Sequence, residues 1–267
     1  MACALVGGMH ARGRPLDGIR IVEPASAQRQ KLVARFPGAA VYEECNDAAL
    51  AGVELVVFAV KPQQMQNAAT AVAPHLAADV VVLSIAAGIR IEDLARWLGG
   101  HRKIVRAMPN TPALIGKGIS GLYAAESVDA AGRQRCAAIL EAAGDVVWVA
   151  SESMLDAVTG VSGSGPAYVF YFLEALEAAA RELDFSAADA RRLAYATFDG
   201  AIALARASSE EPATLRAQVT SKGGTTERAI AIMESDAVKA TIVAAVKAAA
   251  ARARELGDEF GKDGTKR

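Results

Sequence analysis

The sequence predicts an α/β protein in which a doubly wound parallel sheet is followed by an all-helical domain. Up to about residue 150, short apolar segments alternate with segments of helical periodicity, a pattern typical of βαβ units. Beyond that point apolar residues recur at helical spacing and the strand pattern ends. A chain of 267 residues is long enough for two domains, which we place at 1–150 and 151–267.

The first domain contains a series of predicted strands, several of them apolar almost throughout, as strands buried on both faces of a sheet are. They lie at 19–24, 53–60, 80–85, 103–109, 118–123 and 145–149. The helices predicted between them lie at 25–36, 63–73, 91–98 and 129–142. Because strands joined through helices run in the same direction, we expect a parallel sheet with helices on its faces.

The opening residues, MACALVGGMHARG, predict a short apolar helix with neither a strand nor a cap before it. In a doubly wound dinucleotide-binding fold, the first strand leads through a glycine-rich turn into such a helix, whose amides face a pyrophosphate. We therefore interpret residues 2–12 as that helix and 19–24 as the second strand. The expectation is a sheet whose first strand and glycine turn are missing from these residues.

A literal G-x-G-x-x-G pattern occurs at 116–121. The pattern indicates a cofactor loop only where it follows a strand and opens a helix. Here no clear strand precedes it and the residues after it favour a strand, so we interpret it as a loop that leads into an edge strand.

The second domain begins with a predicted helix at 166–183 whose first turns, PAYVFYFLEAL, are apolar around nearly the whole circumference. A helix without a polar face must be buried on all sides. Further helices are predicted at 187–206, 213–219, 225–233 and 237–256. Because so small a domain is more naturally completed by a second subunit, we expect a homodimer.

Composition and charge exclude several classes of protein. The formal net charge is −1 and the basic residues are scattered, so nothing indicates a nucleic-acid partner. Cys3, Cys45 and Cys136 follow no metal-ligand spacing and fit a reducing compartment, so no metal site is expected. No signal peptide and no apolar run of about 20 residues is present, which predicts a cytoplasmic protein that does not enter a membrane.

Five segments resemble, in order and spacing, the motifs of the pyrroline-5-carboxylate reductase family. They are FAVKP (58–62), SIAAGI (84–89), RAMPNTPA (106–113), DAVTGVSGSGPAYVF (156–170) and VTSKGGTTERAI (219–230). The resemblance implies the last step of proline biosynthesis, in which NADPH or NADH reduces the cyclic imine L-1-pyrroline-5-carboxylate to L-proline. It also implies a Rossmann-type domain, a helical dimerisation domain and higher assemblies built from dimers. Family members begin with a strand and a glycine-rich turn, which the resemblance places before Met1.

The resemblance places the cofactor where two predicted strands end. By the resemblance, Val60, Lys61 and Pro62 contact the cofactor after the strand at 53–60. The small residues that let the nicotinamide approach the backbone after the strand at 80–85 are Ala86, Ala87 and Gly88. For Pro62 and its neighbours, the alternative is an ordinary turn with proline at a helix start.

The sequence leaves the choice between NADP and NAD open. Glu23 ends the predicted second strand, where an acid favours the 2′-hydroxyl of NAD. Ser26, Arg29 and Asn46 would instead suit a 2′-phosphate. The resemblance places Asn46 near the adenine ribose and favours NADPH, while the alternative role of Asn46 is a helix cap.

The predicted substrate residues all lie in the second domain, and one of them is close to its start. Gly223 and Gly224 lead into a helix that begins near Thr225, and amides at a helix N-terminus bind carboxylates well. The resemblance implies that Thr226 hydrogen-bonds the ring nitrogen, its alternative role being a helix cap. It also implies that Glu152 lies near the substrate amine, the alternative being an exposed acid at a helix start.

Two other functions stay open. A β-hydroxyacid dehydrogenase shares the two-domain plan, but Val169 and Leu173 occupy the places of its lysine and asparagine. Reducing a carbonyl needs a proton donor at the developing alkoxide, which valine cannot supply, whereas a cyclic imine can arrive already protonated. The second alternative is a non-catalytic dimer that has lost its cofactor loop.

Overall fold

The structure is a computed structural model that describes residues 1–262, and the side chains of residues 1–261. The chain divides into two compact units. The first comprises Met1–Ser164 and the chain from Ala248 onward, and the second is Gly165–Lys247. The domain boundary between residues 150 and 151 that the sequence suggests differs from this division and stays a prediction.

The first unit alternates strands and helices, as the sequence predicts. Its first part contains α1 (Ala2–Ala11), β1 (Arg20–Val22), α2 (Ser26–Arg35), β2 (Ala40–Tyr42), α3 (Asp47–Leu50) and β3 (Leu55–Phe58). Its middle part contains α4 (Met65–Val72), β4 (Val81–Ser84), α5 (Ile91–Trp97) and β5 (Ile104–Met108). Its last part contains β6 (Gly118–Ala124), α6 (Ala130–Glu141), β7 (Gly144–Trp148) and α7 (Met154–Val158). The sequence prediction lacked β2, because three residues are too few for a periodic pattern.

The strands form two sheets, one of β1 and β2 and one in the order β3-β4-β5-β6-β7. All pairs are parallel except that β6 runs antiparallel to β5, which corrects the expectation of a parallel sheet. The reason is the connection between these two strands, which contains only a 3₁₀ turn at Thr111–Ile115. A parallel pair needs a crossover of a dozen or more residues, whereas this shorter segment returns the chain beside β5.

The two sheets are not joined by hydrogen bonding between strands. Within residues 1–262, β1 pairs only with β2. β3 is an edge strand of the five-stranded sheet and pairs only with β4. The helix α1 contributes to the cores of both sheets. Leu5 packs in the core of the larger sheet, and Val6 packs with Leu32 and Phe36 beside the smaller one. Packing of α1 therefore links the two sheets.

Alternate residues of the central strands enter two different cores, which explains their apolar sequences. Val81 and Leu83 of β4 pack in a cluster with Cys136 of α6. Val82 points to the opposite face and packs in a cluster with Met65 of α4. Both faces of the five-stranded sheet are therefore covered by helices, as the doubly wound architecture requires.

Two of the three glycines of the pattern at 116–121 serve packing, while Gly116 ends the 3₁₀ turn with a φ of +71°. A Cβ on Gly118 would lie 2.8 Å from atoms of Ala113, and a Cβ on Gly121 would lie 2.7 Å from methyl groups of Val158. Both glycines belong to β6, so the interpretation of this segment as a loop that leads into a strand is confirmed. The expectation of an edge strand is wrong, because β6 lies between β5 and β7 and pairs with both.

The second unit is helical. Its elements are α8 (Gly165–Glu182), α9 (Ala187–Ala207), α10 (Pro212–Gln218), α11 (Thr225–Ser235) and the first part of α12 (Val238–Lys262), which is longer than predicted. Within the described chain α8 has no buried residue, and Phe170 and Tyr171 are 58% and 71% exposed. The apolar start of α8 therefore lacks the cover that its sequence requires. None of the helices in the described part is both long and apolar enough to cross a membrane.

The packing of α1 can be tested at two adjacent glycines. A Cβ on Gly8 would overlap the carbonyl oxygen of Ala142, whereas a Cβ on Gly7 would meet only the ring of Phe36 at 3.9 Å. We expect Gly8→Ala to lower the free energy of unfolding by about 1–3 kcal/mol through overpacking. Gly7→Ala should be neutral or stabilising by up to about 1 kcal/mol, since alanine favours a helix interior.

Chemical denaturation of both variants and the unchanged protein measures these differences. Equal stability of the Gly7→Ala and Gly8→Ala proteins would show that α1 does not pack against the end of α6 as described.

Candidate active site

The predicted cofactor segments leave the five-stranded sheet at the same edge. β3 and β4 are parallel and in register, with Phe58 opposite Ser84. The chain that follows β3 carries Val60, Lys61 and Pro62, and the chain that follows β4 carries Ala86, Ala87 and Gly88. The structure therefore brings the two segments together at the carboxyl ends of neighbouring strands, where doubly wound sheets bind their ligands.

The segment after β3 ends in a helical turn with proline in its first position. Lys61 precedes the 3₁₀ turn Pro62–Gln64 and is exposed at the edge of the sheet. Pro62 fits this turn because its fixed φ suits a helix start and its missing N–H is not needed there. The helix-start role of Pro62 is thus present, and Lys61 offers a cation to solvent beside it.

The segment after β4 presents backbone rather than bulky side chains. Ala86 is buried, while Ala87 and Gly88 are partly exposed. Gly88 has a φ of +74°, a conformation that other residues rarely adopt. A planar ring can lie close to such a backbone, and contact of this segment with a nicotinamide stays a prediction.

A buried ion pair holds the start of α5 to the sheet. The guanidinium of Arg106, on β5, is 7% exposed and donates to the Glu152 carboxylate at 2.6 Å. The same carboxylate oxygen accepts the backbone N–H of Ile91, the first residue of α5, at 2.7 Å. Glu152 is therefore not an exposed acid at a helix start, and its predicted place near the substrate amine stays a prediction.

Arg106 is a residue of this ion pair that was not predicted from the sequence. It lies in an otherwise apolar strand, and a buried arginine requires a carboxylate partner. A charge in a buried strand was thus the signal that could have identified it. Nearby, burial raises the pKa of Asp156, and Arg106, Arg254 and Arg90 oppose that rise while Glu152 adds to it.

The residues considered for the adenine ribose are engaged with their neighbours. The Oδ1 atom of Asn46 accepts the Ala49 N–H at 2.9 Å and caps α3, so its alternative role is observed. Arg29 donates to Glu43 at 2.9 Å and also to the carbonyl of Glu23 at 3.0 Å. A cofactor phosphate at this end of β1 would have to share Arg29 with these partners.

A shallow groove of about 380 Å³ runs beside α2. Its lining residues are Ser26, Arg29, Gln30, Val33, Ala34 and Val41. It includes Ser26 and Arg29 but none of the predicted residues after β3 and β4, so the nicotinamide segment is not part of it.

The predicted substrate residues form the turn before α11 and its first turn. Gly224 is the N-cap residue, and no side chain caps this helix. Thr225 and Thr226 are the first two helical residues, so neither occupies the capping position that was their alternative role. Gly223 has a φ of +72°, which explains why glycine stands there.

The turn before α11 already binds a carboxylate of the protein itself. The N–H of Gly223 donates to the Glu227 carboxylate at 2.7 Å. Glu227 was not predicted from the sequence, although an acid three residues after an N-cap residue is a recognised pattern of helix N-termini. The contact demonstrates that an amide of this turn is oriented to receive a carboxylate.

Comparison with known proteins gives a consistent answer for both parts of the chain. Residues 152–256 match the family described as pyrroline-5-carboxylate reductase dimerisation. Residues 1–88 match the family described as NADP oxidoreductase, coenzyme F420-dependent. A pyrroline-5-carboxylate reductase of Pseudomonas aeruginosa is 43% identical over 262 residues, which cover 98% of this chain and 95% of the relative.

Solved structures agree with the sequence relatives. A pyrroline-5-carboxylate reductase of Coxiella burnetii, 34% identical, superposes with a TM-score of 0.89 over 96% of this chain and 94% of that one. The Plasmodium falciparum pyrroline carboxylate reductase with NADP bound, 25% identical, has a TM-score of 0.82 and covers 95% and 93% of the two chains. From the shared motifs, the shared fold and an identity of 43% over nearly the whole length, the chain belongs to the pyrroline-5-carboxylate reductase family.

Proposed function

We propose that this chain reduces L-1-pyrroline-5-carboxylate to L-proline with NADPH, and with NADH as the less favoured cofactor. The observation that carries the proposal is the turn before α11. There the Gly223 N–H already binds a carboxylate, and Thr226 lies in the first turn of a helix whose N-terminus no side chain caps. The substrate combines a carboxylate with a ring nitrogen two bonds away. Amides and a hydroxyl at one helix start match these two groups.

In this proposal the carboxylate of the substrate takes the Gly223 amide in place of the Glu227 side chain, together with the Thr225 amide. Gly224, whose amide donates to the Ser221 carbonyl at 3.0 Å, shapes the turn that presents them. The hydroxyl oxygen of Thr226 accepts the hydrogen bond of the protonated ring nitrogen. The negative charge of Glu152 stabilises the iminium form. These roles orient the imine and keep its nitrogen protonated, so no further acid is needed for the reduction.

The cofactor residues are those at the carboxyl ends of β3 and β4. Lys61 supplies a cation for the cofactor phosphates, with Val60 and Pro62 beside it. The backbone of residues 85–90, which we call the nicotinamide loop, supports the nicotinamide at Ala86, Ala87 and Gly88. When bound, NADPH supplies a hydride for the imine carbon. Asn46, whose Oδ1 caps α3, would contact the ribose through its side-chain NH₂ group.

A non-catalytic dimer is the alternative from another class of protein, and it would bind proline or its analogues but not the cofactor. Fluorescence titration of NADPH into the 267-residue chain separates the candidates, because tight binding excludes the non-catalytic dimer. A β-hydroxyacid dehydrogenase is not favoured, since Val169 and Leu173 of α8 offer no proton donor.

The assembly we propose is a homodimer, with higher assemblies built from dimers. Its support is the exposed apolar start of α8 and the match of residues 152–256 to a dimerisation family. We place the protein in the cytoplasm, and the support for this is its sparse, odd number of cysteines.

The role of Thr226 is tested by Thr226→Ala. Loss of a hydrogen bond to a charged nitrogen should cost about 1–3 kcal/mol, a decrease in turnover of roughly tenfold to a hundredfold. The dissociation constant for NADPH should stay the same, because the hydroxyl serves the substrate.

A matched control is Thr241→Ala, since the Thr241 hydroxyl donates at 3.2 Å to the carbonyl of Ala237, the residue just before its own helix. Imine-dependent oxidation of NADPH measures turnover in all three proteins. If Thr226→Ala and Thr241→Ala were equally active, the assigned role of Thr226 would be wrong.

The proposed dimer is tested through its stability at low concentration. Burial of Phe170, Tyr171 and their neighbours removes a large apolar area from water, so we expect the protein to stay dimeric at micromolar concentration. Light scattering gives the mass directly. A stable monomer under these conditions would contradict the proposed cover for α8.

A further inference from the structure

We propose that the end of α12, residues 252–261, positions the nicotinamide loop, with Phe260 and Asp258 as the positioning residues. The inference rests on the proposed function, because the assignment of residues 85–90 to the nicotinamide belongs to that proposal. Neither residue belongs to a segment of the chain that the family motifs include.

The ring of Phe260 lies directly against Gly88. A Cβ on Gly88 would be 3.1 Å from Cδ2 and 3.4 Å from Cε2 of that ring. Phe260 also packs against the buried core formed by α4, α5 and the sheet. The aromatic side chain therefore closes one side of the loop at the residue whose φ of +74° gives the loop its shape.

Glycine at position 257 brings the backbone of α12 close to the same loop. A Cβ there would lie 3.4 Å from the Gly88 carbonyl oxygen and 3.4 Å from Arg90 Nε and Nη2. Gly257 is buried as a result. These are ordinary van der Waals distances, so a methyl group would fit at this position, and the backbone of α12 lies directly beside the loop.

An ion pair holds the end of the loop to the same helix. Arg90 Nη2 donates to Asp258 Oδ1, and both side chains are about half exposed. The next residue, Ile91, is held by Glu152 on another side. The loop is thus fixed at Gly88 by packing, at Arg90 by charge and just beyond its end, at Ile91, by the partly buried Glu152 carboxylate.

Fixing the loop before the cofactor arrives lowers the cost of ordering it during binding. A loop held at three successive points has few alternative conformations, and the backbone of Ala87 and Gly88 keeps one position. Removing Phe260 or Asp258 should therefore loosen the loop and weaken cofactor binding. It should not affect the turn before α11, which is built from other residues.

The test compares Phe260→Ala, Phe260→Leu and Asp258→Asn with the unchanged protein. In the cofactor-free proteins, hydrogen exchange of the amides at 86–91 should be about tenfold faster in Phe260→Ala, because exchange follows local opening. The KM for NADPH should rise by a similar factor of about ten, while the KM for the imine and kcat change little. Phe260→Leu should restore most of both properties, since a large apolar side chain again covers Gly88.

The control is Glu259→Gln, on the same turn of α12. Glu259 pairs with Arg252 of its own helix at 2.8 Å. Its substitution should therefore leave hydrogen exchange at 86–91 and the kinetic constants unchanged. If Phe260→Ala does not fold, exchange at 86–91 in Asp258→Asn tests the positioning role instead. The half-exposed Asp258 side chain can be neutralised with little loss of stability.

Exchange at 86–91 that is the same in Phe260→Ala, Asp258→Asn and the unchanged protein would overturn the positioning role. The failure of the proposed function looks different. In that case the unchanged protein would not reduce the imine, while the exchange measurement would still report whether α12 holds the loop.

Discussion

The buried guanidinium of Arg106 is the constraint on which the carboxyl edge of the sheet depends. A charge that is 7% exposed inside a strand is tolerated only with a carboxylate partner, and removing one member of such a pair costs about 3–5 kcal/mol. Glu152 supplies the partner, and its same oxygen holds the first amide of α5. One carboxylate therefore ties β5, α5 and the start of α7 together. The loop between β4 and α5 ends at Ile91, whose amide this carboxylate holds.

Much of the fold could be predicted because its signals are local. The segments VELVVFAV and VVVLSI are apolar almost throughout, and both give strands of the central sheet. The opening helix was recognisable from its apolar residues, and the structure divides them between two cores. The antiparallel direction of β6 was not predicted, because it depends on the length and shape of the connection after β5 rather than on the strand itself. The short strand β2 left no periodic pattern.

The site was predictable only in part, because several of its contacts join distant residues. Motif positions located the segments after β3 and β4 and the turn before α11. The partner of Arg106 is 46 residues away, and the partner of Arg90 is 168 residues away, so no local pattern records either pairing. Asn46 illustrates the opposite case, since its observed role as the cap of α3 is local and was one of the two roles that the sequence allowed. Motifs thus identify which segments matter, and tertiary packing determines what each side chain contacts.

The central claim is that this chain transfers hydride to a cyclic imine that carries a carboxylate. The most direct measurement uses NADPH deuterated at the transferred position together with L-1-pyrroline-5-carboxylate, followed by mass spectrometry and NMR of the product. The account predicts L-proline with one deuterium at Cδ, formed in equal amount to the NADPH consumed. Consumption of NADPH without labelled proline, or the absence of any transfer by a protein that binds NADPH, would contradict it.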